Sequence, residues 1–166
     1  VWLFEPQRNL EQEQLLSEAA IDRGAHAVQV FSEENQGGVG CVNCHGATLE
    51  GSVILNTQSG VPIRTPNLTT VCGGPFTGHP LIYGLRDIQT TIEQGRGIMP
   101  SWSIRYAGAL GDQQINDIIN YLVSIQKDVP DDQNVCTNPE AVTKAVDQFL
   151  GGDVTKKPNP TTNIQF

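Results

Sequence analysis

Five consecutive residues constrain this chain more than anything else in it: Cys41-Val42-Asn43-Cys44-His45. A bare C-x-x-C is ambiguous, because thioredoxin-like redox sites and half-zinc sites share it. The zinc reading needs a second ligand pair at metal spacing, and the other two cysteines, Cys72 and Cys136, lie far apart. The redox reading needs alternating strands and helices, which the hydrophobic pattern lacks. The histidine directly after the second cysteine points instead to covalent haem attachment. Two thiols add to the vinyl groups of the haem, and the next residue sets its imidazole under the iron. All three groups must come from one helical turn and its start, so the spacing is short. His45 is the expected proximal ligand.

The rest of the chain reads as helices joined by long loops. Leu10, Leu15, Leu16, Ala19, Ala20, Ala27, Val28 and Phe31 predict a helix over about 9–33, with Gly24 a soft spot. Residues 35–40 form a Gly-rich loop into the cysteine motif. Residues 46–79 read as an irregular loop, with a short hairpin at Val53-Ile54-Leu55 and Val61-Pro62-Ile63. Pro80 opens the next predicted helix, on the stripe Leu81, Leu85, Ile88 and Ile92, ending at Gly95 or Gly97. The clearest helix spans 111–126, where Ile115, Ile118, Ile119, Leu122 and Val123 repeat at i, i+3, i+4, i+7 and i+8. Asn138-Pro139-Glu140 starts a last helix through about Leu150, and the tail with Pro158 and Pro160 is expected to be extended.

Met99 is the one methionine, set in Gly97-Ile98-Met99-Pro100 between two amphipathic helices. A lone methionine is normally core filler. A loop there can instead carry a thioether to the open face of a haem, so Met99 is the expected sixth ligand. His79 and His26 are the competitors, and either would give a bis-histidine haem of lower potential.

Haem c is attached outside the cytoplasm in bacteria, where disulfides persist. A Cys72–Cys136 bond is therefore expected, tying the C-terminal stretch to the middle loop; the alternative is two buried free thiols. The net charge of −8 argues against nucleic acid and against a polybasic contact with anionic lipid. No apolar run is long enough to span a bilayer. Val1-Trp2-Leu3-Phe4 reads either as a packed terminus or as the end of an anchor removed by processing. Aromatics make up only 6% of the residues, so a large apolar cofactor would supply much of the core.

Taken together, Cys41 to Gly46, then Thr65-Pro66-Asn67-Leu68, then Gly97-Ile98-Met99-Pro100, then Asn120-Tyr121-Leu122, resemble the class I (mitochondrial-like) monohaem cytochromes c of the bacterial branch. The resemblance covers about 20–126. It implies an all-α fold around one covalent haem c, with a stretch at 1–19 leading into the first helix and an extension at 127–166. It also implies that the Pro66 carbonyl accepts a hydrogen bond from Nδ1 of His45, which fixes the ring; the plainer reading of Pro66 is an ordinary loop proline. Leu68 belongs to the same haem-facing loop. Ala27 and Phe31 against Tyr121 look like the family's crossing of first and last helices. Trp102 and Tyr106 are candidates to line the haem crevice. Arg64, Arg96 and Arg105 are candidates to pair with the haem propionates.

These features predict an electron-transfer protein rather than an enzyme, with no catalytic residue. Its partners are redox proteins, and it acts either as a free carrier or as the cytochrome subunit of a membrane respiratory complex or dehydrogenase. Its place is extracytoplasmic: the bacterial periplasm or the outer face of the cytoplasmic membrane. The alternative, a haem peroxidase or gas-binding protein, requires a sixth site that Met99 leaves open.

Overall fold

The fold is described from a computed structural model, which covers residues 5–56 and 60–157, with side chains from residue 9. The expectations for Val1 to Phe4 and for the tail at Pro158 and Pro160 lie outside the described residues.

The first helix, α1, runs Glu5–Val28 and stops about five residues before the predicted end. The following loop takes over its last carbonyls. Val39 N–H donates to Ala27 O at 2.8 Å, Gly40 N–H to Gln29 O at 2.7 Å, and the Asn35 amide to His26 O at 2.8 Å. Phe31 is therefore outside the helix and 69% exposed.

Helix α4, Asp112–Ser124, matches the predicted stripe: Ile115, Ile118, Ile119 and Leu122 are buried. Gly111 precedes it, and the Gln114 side chain accepts the Gly111 N–H at 3.0 Å. Helices α1 and α4 come closest at Gly24; of the residues expected at this crossing, Ala27 is buried in the core and Tyr121 packs against it, while Phe31 lies outside. A Cβ on Gly24 would lie 2.1 Å from the Asp117 carbonyl oxygen and 2.7 Å from Tyr121 Cβ. Only a residue without a side chain allows this approach. Beside it, Arg23 Nε bonds Asp117 Oδ2 at 2.7 Å.

A one-turn helix, α2 (Val42–His45), carries the cysteine motif. It leads into an antiparallel pair, β1 (Val53–Leu55) and β2 (Pro62–Arg64), in the register Val53↔Arg64, Ile54↔Ile63, Leu55↔Pro62. The second strand sits one residue later than predicted, and the hairpin qualifies the all-α expectation: the described chain is mostly helical with this one small sheet. Leu68–Thr77 then forms 3-10 turns, broken at Gly74.

Helix α3, Leu85–Gln94, begins five residues after Pro80. Leu81, Ile82 and Tyr83 are all buried, a run that no single helix face can supply. The Asp87 carboxylate reaches back to accept the Tyr83 N–H at 2.8 Å and closes the start. Helix α5, Pro139–Leu150, starts as predicted, with the Asn138 side chain accepting Glu140 N–H at 2.9 Å. Ala141 and Ala145 join one core with Val28, Ile88, Ile92, Ile115, Ile118 and Leu122. Among the described residues no helix is long and apolar enough to cross a membrane.

Candidate functional site

The site begins at α2. Cys41 precedes the helix, and its carbonyl accepts Cys44 N–H at 3.2 Å and His45 N–H at 3.0 Å. One turn thus presents both thiols and the imidazole. Neither thiol is in a disulfide; Cys41 is half-buried and Cys44 exposed. Burial pushes the Cys41 thiol up to about 11.

His45 is buried, and its Nδ1 lies 3.1 Å from the Pro66 carbonyl oxygen. A carbonyl only accepts, so Nδ1 carries the proton and Nε2 keeps its lone pair. Among the described residues Nε2 has no hydrogen-bond partner. Burial holds the imidazole below the usual histidine pKa, and the Pro66 bond partly offsets this. The group is a neutral, oriented base with one free nitrogen.

Two further contacts lock the Pro66 loop to the motif. Thr65 Oγ1 donates to the Cys44 carbonyl at 2.8 Å, and Leu68 N–H donates to Leu49 O at 2.8 Å. Leu68 is half-buried against the core. From below, the Gln126 amide donates to Leu68 O at 2.9 Å and accepts Cys72 N–H at 2.8 Å. The sequence marks Thr65 only as part of the Thr65–Leu68 motif and does not single out Gln126. A threonine beside the proline was the one visible signal for the first, and none pointed to the second.

The second loop leaves α3 at Gly95, which takes φ +72° and where a Cβ would lie 2.5 Å from the Met99 carbonyl oxygen. Arg96 and Met99 exchange both backbone hydrogen bonds at 2.9 Å. Met99 and Trp102 are half-buried and pack against the core, and Trp102 N–H is held by Ile92 O at 3.1 Å.

The remaining candidates separate. His26 is exposed on α1, with Nδ1 2.9 Å from the Asp22 carbonyl. His79 does not start a helix. It is buried in the turn before α3, with Nε2 3.2 Å from Thr70 Oγ1. Arg105 is paired with Asp112, and Tyr106 is exposed, its hydroxyl accepting from Gln94. Arg64 is exposed at the end of β2. Arg96 is half-buried. The Cys72 and Cys136 sulfurs are bonded at 2.01 Å.

Among the described residues, no group of three or more His, Cys, Asp and Glu side chains is placed to hold a metal ion by itself. The donor set at α2 fits haem c: two unpaired thiols for the thioether bonds, and one oriented imidazole nitrogen for an iron already held by a porphyrin. Cys41, Cys44 and His45 would hold the group, and it would bring redox-active iron.

No curated protein and no solved structure matches this chain. The family model described as cytochrome c matches residues 25–126, which takes in α2, the Pro66 loop, the Met99 loop and α4. The chain therefore belongs to the cytochrome c family, whose cofactor is covalently bound haem c with its iron and whose work is haem-based electron transfer.

Proposed function

We propose that this protein carries single electrons through a six-coordinate haem c, as a class I cytochrome c of the bacterial type. The observation that carries the reading is the His45–Pro66 bond, because it leaves Nε2 as a fixed, unprotonated nitrogen beside two unpaired thiols. The haem supplies a one-electron exchange at its iron. The protein's own residues do the rest. Cys41 and Cys44 anchor the macrocycle, and Pro66 keeps the His45 ring from turning. Met99 gives the sixth ligand, and its sulfur favours the reduced state and raises the potential. Leu68 and Trp102 exclude water along the crevice, and Arg64 belongs to its charged rim.

The working site is extracytoplasmic, and the partners are redox proteins. An acidic chain of net charge −8 suits a partner with a basic docking face. A second reading makes the protein a fixed cytochrome subunit of a membrane respiratory complex or dehydrogenase. Leu10, Leu15 and Leu16, exposed on α1, favour it. A stable monomer in native mass spectrometry after mild extraction would favour the free carrier.

The ligation is tested on the oxidised holo-protein. A sulfur-to-iron charge-transfer band at the red end of the visible spectrum is expected in the wild type and lost in Met99→His, with a lower potential. A wild type without the band, or one whose reduced form binds carbon monoxide rapidly, would turn the reading toward a peroxidase or gas-binding protein.

A further inference from the structure

One side chain joins three segments of the backbone. Gln126 stands half-buried, two residues past the end of α4. Its Nε2 donates to Leu122 O at 2.7 Å and to Leu68 O at 2.9 Å, and its Oε1 accepts the Cys72 N–H at 2.8 Å. A primary amide carries two N–H donors and a carbonyl acceptor on one planar end, and here all three find a backbone partner. Leu122 O lies in the last turn of α4, where carbonyls lack partners within the helix. Cys72 is fully buried, so water does not replace the amide oxygen on its N–H. The next residue repeats the attachment: Lys127 N–H donates to Thr69 O at 2.7 Å.

The segment gripped in this way is the one that orients His45. Leu68 O lies two residues beyond Pro66 O, which accepts from Nδ1 of His45 at 3.1 Å. The stretch between them has little freedom of its own. The Pro66 ring fixes φ. Asn67 Oδ1 accepts both the N–H and the hydroxyl of Thr69, at 2.9 and 2.8 Å. Leu68 N–H is held by Leu49 O at 2.8 Å, and before the proline Thr65 Oγ1 is tied to Cys44 O. With Leu68 O fixed as well, the peptide after Pro66 cannot turn without lengthening one of these bonds.

We propose that Gln126 is a positioning residue for the axial base: by fixing Leu68 it keeps the Pro66 carbonyl against Nδ1 of His45, and through that bond it tunes the potential of the iron. A carbonyl that accepts well from Nδ1 makes the imidazole a stronger donor, which favours ferric iron. Loosening the carbonyl therefore favours ferrous iron. The inference rests on the reading of the chain as an electron-carrying haem c protein with His45 on the iron.

The test is a redox titration of the holo-protein, with solvent exchange of the His45 Nδ1 proton followed by NMR. Gln126→Leu is close in volume and removes all three bonds. The ferric-to-ferrous equilibrium is expected to move about threefold toward ferrous, the effect of losing one hydrogen bond in part. The Nδ1 proton is expected to exchange faster than in the wild type. Leu150→Ala, at the buried end of α5, lowers stability and leaves both readings at their wild-type values. An unchanged potential, a shift toward ferric, or an unchanged exchange rate in Gln126→Leu overturns the proposal. So does a Leu150→Ala variant that moves both readings as far, since general loosening would then be enough. If Gln126→Leu does not accumulate with haem, Gln126→Asn, one methylene too short to reach all three partners, decides by the same readings. Failure of the electron-transfer reading looks different: the wild type itself would lack covalent haem mass or a reversible couple.

Discussion

The described chain has two stretches outside the span matched by the cytochrome c family, and they are attached to it in opposite ways. Residues 127–157 are fastened along their length. Lys127 N–H donates to Thr69 O at 2.7 Å while its ammonium reaches Glu50, and Val135 N–H donates to Cys72 O at 2.8 Å. Cys136 is bonded to Cys72, Ala141 and Ala145 are fully buried, and the Phe149 ring meets Phe76 edge-on at 5.3 Å. Lys157 closes the strap on the buried Asp87 at 2.6 Å. Among the described side chains, the first half of α1 is not fastened in this way: Leu10, Leu15 and Leu16 are 59%, 66% and 63% exposed. Apolar content does not separate the two stretches; arrangement does. At about 100° per residue, Leu10, Leu15 and Leu16 point in three directions roughly 100–140° apart. Ala20, Gly24, Ala27 and Val28 repeat at i, i+4, i+7 and i+8, share one face, and are buried. Burial follows from a stripe with a partner, and α1 changes from one regime to the other along a single unbroken helix.

This contrast can be broken at its strongest tie first. Replacing both Cys72 and Cys136 with Ser frees the strap and lengthens the accessible unfolded chain. The expected loss is about 2–5 kcal/mol, or roughly 5–15 °C in melting temperature, read by calorimetry on the holo-protein. A loss below about 1 kcal/mol would mean that α5 is held by packing alone. The next test marks where α1 becomes fastened. Helix propensity favours Gly24→Ala by about 1 kcal/mol. The new Cβ would meet the Asp117 carbonyl at 2.1 Å, so α1 and α4 must separate. We expect the clash to win, with a net loss of about 2 kcal/mol in urea unfolding; a neutral or stabilised variant would remove Gly24 from the crossing. The smallest effect is expected at the free end. Leu10, Leu15 and Leu16 changed together to Gln should alter the stability of the isolated protein by no more than ~0.5 kcal/mol. A clearly larger loss would show that this half of α1 is packed after all.

Legibility differed between elements for physical reasons. The stripe of α4 and the Asn138-Pro139 start of α5 were readable because each depends on residues within a turn or two of one another. The end of α1 was not, since its carbonyls are capped by residues 35–40 folding back. The start of α3 was misplaced because Pro80 is a permissive helix opener but not a sufficient one, and Leu81 to Tyr83 are pulled into the core on successive sides. At the site, the cysteine motif and Pro66 stood out by residue type. The tie from Thr65 to Cys44, 21 positions away, and the Gln126 bridge to Leu68 and Cys72 carried no local signature.

By itself, the sequence determined the cofactor chemistry of this protein. Two thiols and an imidazole within five residues form one turn, and short-range geometry leaves that turn few other uses. The tertiary structure decided the surroundings: that α1 and α4 come closest at Gly24, that His79 is buried in the turn before α3, and that Arg105 is already bonded to Asp112. Each of these depends on which distant group arrives to fill a space or balance a charge, and a pattern along the chain does not encode that.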